Sequence, residues 1–349
     1  MRKLPIFIVA TSVVTVVVAV AAATHFLSTT PLKLDASAPP ELTTGAIEAR
    51  WPKPGIERPT AAAEPMPSVQ PAETTLQVTG NRPVLAKPAC NNPNALGISR
   101  TVQIDTTGGP GFGMSQYREY DFLQPGEVVL TFDDGPWPVT TPAILAALNA
   151  ECLKATFFPI GKHAIWHPEI LKQVVAQGHT VGSHTWSHQN LAHKTQQEAK
   201  DEIEKGMSAV AMMAGSPIAP FFRFPQLRQT AELKAYLRER NVSAFSIDID
   251  SEDFKIKKPD ALVASVMTKL KKTGKGIILM HDLHKWTAAA LPDLLTQLKE
   301  DGYKVVHVQA KDTLATLPDY DAAIAAAKAV KTSSTRPISN VVQNVEQRR

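Results

Sequence analysis

The chain has 349 residues, of which 44% are hydrophobic and 20% are charged, and its formal net charge at pH 7 is +4. These proportions exclude a wholly disordered chain, a collagen-like repeat and a membrane protein with many spans. Two cysteines are too few for a disulfide-dense scaffold or a zinc site of four thiolates. The positive charge is spread along the chain without a basic block interleaved with aromatic residues, so no nucleic-acid partner is expected.

The first residues have the form of an export signal. Arg2 and Lys3 precede an uncharged apolar run, residues 4–23. The run ends in small residues suited to cleavage, and it is also about long enough to span a bilayer uncleaved. We therefore expect residues 1–27 to be a signal peptide or an N-terminal anchor in the inner membrane, with the rest of the chain periplasmic or extracellular.

Residues 28–89 are rich in Pro, Ala, Thr and Glu and show the period of neither a strand nor a helix. They predict an extended linker that leads to a folded domain over residues 90–313. Residues 314–349 contain an Ala-rich stretch that predicts a short helix, followed by a polar tail.

The two cysteines are Cys90, at the end of the linker, and Cys152, inside the predicted domain. In an oxidising compartment we expect them to form a disulfide that ties the linker to the domain. Two buried free thiols are the alternative, because Cys152 follows a predicted helix that packs on the core.

Within the predicted domain, short β-branched and aromatic runs alternate with amphipathic stretches. Seven runs predict strands: EVVLTF from residue 127, ATFFPI from 155, HTVGS from 179, PFFRF from 220, SAFSIDI from 243, GIILM from 276 and YKVVHV from 303. Helix signals lie between them, including a capping box at Thr195 and Glu198 and C-terminal glycines at 178 and 302. This alternation predicts parallel strands with helical crossovers, and seven units suit a (β/α) barrel better than an open nucleotide-binding sheet.

Ionisable residues that could bind a metal or act in catalysis follow the predicted strands. The ends of parallel barrel strands surround one rim, so these residues are expected to lie together. They are Asp133 and Asp134, His184 and His188, Arg223, Asp250 and Asp253, and His281 with Asp282. Two adjacent carboxylates after an apolar strand favour one metal ligand and one general base, although Asp-Gly-Pro is also the chemistry of a plain turn. Arg223 could equally bridge surface acids, and Asp250 could cap a loop.

Three of the rim groups are histidines. His184 and His188 stand four residues apart, which places two imidazoles on one face of a helical turn and suits a divalent metal. His163 and His167 have the same spacing, so the spacing alone does not decide, and a solvated pair is the alternative. His281 ends an apolar strand, where a core histidine is as reasonable as a functional one.

Five motifs in this order resemble those of the polysaccharide deacetylase family of carbohydrate esterases, the NodB homology domain. They are TFDDGP at 131–136, HTWSH at 184–188, RFP at 223–225, DIDSEDF at 248–254 and LMH at 279–281. The resemblance covers residues 124–308 and implies a distorted (β/α) barrel. It also implies a metal-dependent hydrolase that removes N-acetyl groups from a polymer containing N-acetylglucosamine, such as peptidoglycan or a chitin-like oligosaccharide.

The resemblance further implies a role for each matching residue. Asp134, His184 and His188 would hold one divalent metal, most commonly Zn²⁺. Asp133 would be the general base and Arg223 would orient it, while His281 would be the general acid and Asp253 would hold it.

Two of the motifs depart from the family's pattern. An aromatic residue and Gly usually follow the Pro of the third motif, where this chain has Gln226 and Leu227, and a Trp usually stands where this chain has Phe254. The backbone N–H of Gln226 would still serve an oxyanion, because that role needs no side chain. An O-acetyl esterase or a deformylase on the same scaffold is an alternative, as is a non-catalytic carbohydrate-binding relative with a residual metal site.

Overall fold

The computed structural model describes residues 91–333, and it describes side chains as far as residue 327. The predicted signal or anchor, the linker, Cys90 and the polar tail lie outside the described residues. Within the described part of the chain, no helix combines the length and the apolar character that crossing a membrane requires.

Ten strands and eight α-helices alternate along the described residues. The strands are β1 (Ile98–Ile104), β2 (Gly111–Phe112), β3 (Glu127–Asp133), β4 (Thr156–Phe158), β5 (Thr180–Val181), β6 (Phe221–Phe222), β7 (Ser243–Phe245), β8 (Ile249–Asp250), β9 (Gly276–His281) and β10 (Lys304–Ala310). The helices are α1 (Thr140–Ala150), α2 (Gly161–Trp166), α3 (Pro168–Ala176), α4 (Gln196–Ala214), α5 (Ala231–Glu239), α6 (Pro259–Thr273), α7 (Lys285–Glu300) and α8 (Pro318–Ser333).

The recorded strand pairs are all parallel and form two sheets. The larger sheet has the order β1-β10-β3-β4-β5, with β9 paired to β3 and β8 paired to β9, and the smaller has the order β2-β7-β6. A bridge between Ser183 and Phe222 connects the two sheets. In the described part of the chain no ladder joins β7 to β8, so the hydrogen bonds leave the ring of strands open at that point. The predicted parallel α/β class is confirmed.

All seven runs predicted as strands contain strands. The run SAFSIDI forms two strands, β7 and β8, because the backbone between them leaves the ladder and the Ser246 carbonyl accepts a hydrogen bond from Arg223. The sequence prediction missed β1 and β2. Among the described residues, the first is an edge strand that pairs with β10 alone. The second lies in a segment rich in Gly and Pro, residue types that are rare inside strands.

Three of the predicted helix ends are confirmed. Thr195 and Glu198 form the capping box that begins α4, and Gly178 and Gly302 adopt left-handed backbone just beyond α3 and α7. The Ala-rich stretch forms α8, whose Tyr320 hydroxyl donates to Asp201 on α4 at 2.7 Å.

The strand β3 is buried along its whole length, and its two faces enter different parts of the core. Val128, Leu130 and Phe132 pack with residues of α1, α6 and α7, whereas Val129 packs with residues of other strands. Because side chains alternate along a strand, Asp133 shares the strand-lined face with Val129. The site is therefore built at the end of a fully buried strand.

Candidate metal and catalytic site

Two adjacent carboxylates stand at the carboxyl end of β3. Asp133 is the last residue of the strand and is only 2% exposed. Asp134 follows with φ of 76°, a left-handed conformation that Asp tolerates better than most residues. Its N–H donates to the Phe158 carbonyl at 3.2 Å, which ties the turn to the neighbouring strand β4.

Asp134, His184 and His188 converge on one point. Oδ1 of Asp134 lies 3.6 Å from Nε2 of His184 and 3.5 Å from Nε2 of His188. This oxygen is buried and has no hydrogen-bond partner among the described residues. Ligand atoms about 2.1 Å from a tetrahedral ion lie about 3.4 Å from one another. The three residues therefore fit a divalent cation.

The surroundings of His184 prepare it as a ligand. Its Nδ1 lies 2.7 Å from the backbone carbonyl of Arg223, so Nδ1 carries the proton and the lone pair of Nε2 faces Asp134. Burial lowers the pKa of His184. The neutral imidazole that a metal requires is thereby favoured.

The loop that carries His184 and His188 is not helical. Residues 184–190 contain no helical turn, and Thr185 and His188 have φ of 69° and 57°. The predicted helical turn is therefore wrong, although the two imidazoles do come together, with ring centroids 5.0 Å apart. The loop packs directly on α4, where a Cβ at Gly206 would lie 2.4 Å from the carbonyl carbon of Thr185.

The histidines with true helical spacing lie outside the ligand group. His163 is on α2, and His167 stands between α2 and α3. The structure nevertheless brings His163 beside the site, since its Nδ1 lies 2.6 Å from the backbone carbonyl of Asp134.

Arg223 is fully buried behind Asp133. Its Nη1 donates to Oδ1 of Asp133 at 2.7 Å and to Oγ1 of Thr131 at 2.8 Å, and its Nη2 donates to the Ser246 carbonyl at 3.1 Å. Its guanidinium also lies 4.4 Å from the centroid of the Phe158 ring. These contacts orient Oδ1 of Asp133 and leave Oδ2 3.7 Å from Nε2 of His184.

His281, the last residue of β9, forms an ion pair with the fully buried Asp253. Nδ1 of His281 lies 2.6 Å from Oδ1 of Asp253, and the His281 backbone N–H donates to Oδ2 at 2.7 Å. Burial lowers the pKa of His281, but the hydrogen bond and the charge of Asp253 outweigh it and raise the pKa to about 9. Burial likewise raises the pKa of Asp253, yet the bonds from His281 hold it below its usual value.

A second group, Asp253, His281 and His284, also has three potential ligand atoms within 4.8 Å of one another. Both oxygens of Asp253 already accept hydrogen bonds, from His281 and from Oγ1 of Thr287 at 2.7 Å. This group is therefore better described as a buried ion pair than as a metal site.

The sheet sets the separation between the two halves of the site. Asp133 and His281 are paired residues of β3 and β9, at the same register of adjacent parallel strands. Paired strands lie about 4.8 Å apart, and residues at equal register project from the same face. A carboxylate beside the candidate metal ligands and a positively charged imidazole thus face one space at the strand ends.

A further buried acid supports the Asp133-Asp134 turn. Asp282 is 1% exposed and accepts a hydrogen bond from Oγ1 of Thr141 at 2.7 Å. A Cβ at Gly135 would lie 2.0 Å from its Oδ2. Burial raises the pKa of Asp282 to about 7. The sequence placed Asp282 on the rim, but nothing in it indicated this contact.

The segment after Arg223 contains two consecutive residues with left-handed backbone. Gln226 and Leu227 both have φ of 55°, and the Leu227 carbonyl accepts from Nε2 of Gln116 at 2.7 Å. The left-handed backbone at Leu227 occupies the place where the family pattern has Gly. Phe254 is 49% exposed, and its ring meets that of His281 edge to face at 6.4 Å.

Two other sequence candidates lie apart from the site. Asp250 caps a loop, since its Oδ1 accepts the N–H of Glu252 at 2.8 Å. Cys152 is disulfide-bonded. Its pairing with Cys90 stays a prediction, because Cys90 lies outside the described residues.

Comparison with known proteins adds to this geometry. The model of the polysaccharide deacetylase family matches residues 123–245. A chitooligosaccharide deacetylase of Bradyrhizobium is 32% identical over 44% of this chain and 70% of its own length. The chain belongs to the polysaccharide deacetylase family.

Two further relatives of this polysaccharide deacetylase family member are peptidoglycan deacetylases. The peptidoglycan-N-acetylglucosamine deacetylase PgdA of Listeria monocytogenes is 35% identical over 52% of this chain. The match spans only 38% of the length of the Listeria protein. A solved peptidoglycan deacetylase of Bdellovibrio bacteriovorus superposes with a TM-score of 0.57 at 35% identity, covering 64% of this chain and 62% of that one.

Proposed function

We propose that this family member hydrolyses N-acetyl groups from N-acetylglucosamine residues of a polysaccharide, with peptidoglycan as the first candidate and a chitin-like oligosaccharide as the second. The observation that carries the proposal is the pairing of Asp133 and His281 at one register, next to the group formed by Asp134, His184 and His188. The named relatives that act on peptidoglycan and on chitooligosaccharide favour these two substrates.

The three ligand residues would hold one divalent cation, which we propose to be Zn²⁺. When bound, such an ion lowers the pKa of water and polarises an acyl oxygen. Asp134 supplies the negative charge, and His184 presents its Nε2 because the Arg223 carbonyl holds Nδ1.

Asp133 and His281 would divide the proton transfers between them. Asp133, oriented by Arg223, accepts a proton from the attacking water through Oδ2, the oxygen that Arg223 leaves free. His281 is protonated at neutral pH, since Asp253 raises its pKa to about 9. It can therefore donate a proton to the departing amine, which leaves poorly without one. The backbone N–H of Gln226 would stabilise the oxyanion of the tetrahedral intermediate.

The test is release of acetate together with formation of a free amine. Purified protein loaded with zinc is incubated with peptidoglycan, with chitooligosaccharide and with acetylated xylan. Asp133→Asn keeps the size of the side chain but cannot accept the proton, so turnover on the first two substrates should fall by about 10²–10⁴ while the metal content stays unchanged. Full activity in Asp133→Asn would contradict the mechanism.

An O-acetyl esterase or a deformylase remains the nearest alternative function for this scaffold. An alkoxide needs less help to leave than an amine, so His281→Ala should reduce N-acetyl hydrolysis more than O-acetyl hydrolysis. Activity confined to acetylated xylan would favour the esterase. Metal content without hydrolysis of any substrate would favour the non-catalytic carbohydrate-binding relative.

We also propose that the chain is exported and works beside the cell envelope, either released or tethered through residues 4–23. The basic start and apolar run support this location. Protease added to intact spheroplasts should digest the domain, and protection until the membrane is permeabilised would contradict export.

A further inference from the structure

Two exposed tryptophan rings lie near the candidate metal ligands, one in the turn before α1 and one at the end of α2. Trp137 is 37% exposed and Trp166 is 48% exposed, whereas most large apolar side chains of the described residues are buried. Trp137 meets the rings of His163 and His167 edge to face at centroid distances of 5.1 and 5.6 Å, and His163 lies 5.2 Å from Trp166. These four residues are called the tryptophan face below.

Two hydrogen bonds hold the backbone that carries the tryptophan face. The backbone N–H of Trp137 donates to Oγ1 of Thr141 at 2.8 Å, which fixes the start of the segment. The N–H of His167 donates to the His163 carbonyl at 2.9 Å, which closes the end of α2. Rings that are fixed before a ligand arrives lose little conformational entropy on binding. Trp is enriched at binding surfaces, because its large ring supplies contact area at low entropic cost.

The face is continuous with the candidate metal site. Nδ1 of His163 lies 2.6 Å from the carbonyl of Asp134, the residue whose Oδ1 is a candidate ligand. Trp137 is only three residues beyond Asp134 in the same turn. A polymer with one sugar at the metal site would therefore have its next sugar beside these rings.

The chemistry of the face matches a pyranose ring. A hexosamine carries axial C–H groups on its faces and hydroxyl and amide groups around its edge. Trp rings offer flat apolar surfaces for the former, and the imidazoles of His163 and His167 offer polar edges for the latter.

We propose that Trp137, His163, Trp166 and His167 form a subsite for the sugar next to the one whose acetyl group is removed. This inference rests on the proposed function, because it assumes a glycan at the metal site. It predicts that longer oligosaccharides bind more tightly than a disaccharide, and that the difference depends on the exposed Trp rings.

Trp166→Ala is the main variant, since Trp166 lies on α2 and not in the turn that carries Asp134. Calorimetry measures the Kd of the full chain, with and without zinc, for N-acetylglucosamine disaccharide and hexasaccharide. Trp166→Ala should raise the Kd for the hexasaccharide by about two- to tenfold and leave that for the disaccharide unchanged. Trp166→Phe should recover most of the loss. The matched control is Tyr120→Ala, which removes a ring that is 52% exposed and packs 6.0 Å from Phe112 in the smaller sheet.

Each outcome bears on the subsite separately from the catalytic proposal. Hexasaccharide binding that depends on Trp166, with no acetate released, supports the subsite and contradicts the proposed function. Equal Kd values for wild type and Trp166→Ala, an equal loss in Tyr120→Ala, or no gain in affinity from disaccharide to hexasaccharide would overturn the subsite. A fall in kcat of Trp166→Ala that is the same for every length of substrate would also overturn it, because it would indicate damage to the metal site.

Discussion

Replacing Asp253 with Asn should move the alkaline limb of the pH profile of kcat/KM downward by about two and a half pH units or more. The limb reports loss of the proton from His281 in the free enzyme, if His281 is the general acid. In the wild type, Asp253 overcomes the effect of burial and raises the pKa of His281 to about 9. An amide at position 253 removes that charge but leaves His281 as buried as before, so its pKa should fall to 6.5 or lower.

The magnitude follows from the two pKa values. The difference between about 9 and 6.5 corresponds to about 3 kcal/mol of preference for the protonated imidazole. With a pKa of 6.5, only about a quarter of His281 is protonated at pH 7, whereas nearly all of it is protonated when the pKa is about 9. A divalent ion would offset the smaller contributions of Asp133 and Asp134 in the wild type and in the variant alike. The difference between the two loaded proteins therefore stays at about two and a half units or more.

The assay is acetate release from chitooligosaccharide by the zinc-loaded protein over the pH range in which circular dichroism shows it folded. The matched control is Thr287→Val, which removes a 2.7 Å hydrogen bond to the same carboxylate but keeps its charge. Its alkaline limb should stay near that of the wild type. An unchanged limb in Asp253→Asn, or an equal shift in Thr287→Val, would refute the ion pair as the source of the raised pKa.

The same pair links stability to pH in the metal-free protein. Because the folded pKa of His281 lies above 6.5, its stabilising contribution is complete below pH 6.5 and is lost as the pH rises through about 9. The free energy of unfolding of the wild type should therefore fall by about 3 kcal/mol across this window from this pair. Urea titrations should show no such fall in Asp253→Asn, and parallel slopes for the two proteins would contradict the linkage.

Three other predictions concern the metal, the turn and the disulfide. His184→Ala should lose both metal and activity, whereas His193→Ala, a change at an exposed histidine, should keep both. Equal metal content of the two variants by elemental analysis would show that the ligand set is wrong. Gly135→Ala should lower the free energy of unfolding by about 1–3 kcal/mol, because its Cβ would lie 2.0 Å from Oδ2 of Asp282. If urea melts show the same loss of unfolding free energy when Asp282 is already replaced by Ala, that contact is not the cause. Thiol titration of the unfolded, unreduced protein should find no free thiol, and two free thiols would rule out pairing of Cys90 with Cys152.

The sequence by itself determined the strands from β3 to β10 and most of the ionisable residues at their ends. The sequence contains apolar runs of strand length, separated by amphipathic stretches with helix caps such as Thr195 and Glu198. This pattern predicts parallel strands joined by helical crossovers. Once the strands are parallel, their carboxyl ends share one rim. Asp133 and His281 could therefore be assigned to one region without knowledge of any distance.

Only the tertiary structure decided which histidines and acids lie together. The four-residue spacing occurs at both His163 and His184, and the pair that begins on α2, His163 with His167, is the one outside the ligand group. His184 and His188 meet because left-handed backbone turns a loop against Gly206, a consequence of packing that no local spacing encodes. The partnership of Asp253 with His281 and the contact of Asp282 with Gly135 arise in the same way. Strand pairing and burial of apolar side chains bring distant segments of the chain together. The separation of two residues along the chain therefore does not tell how far apart they lie in the fold.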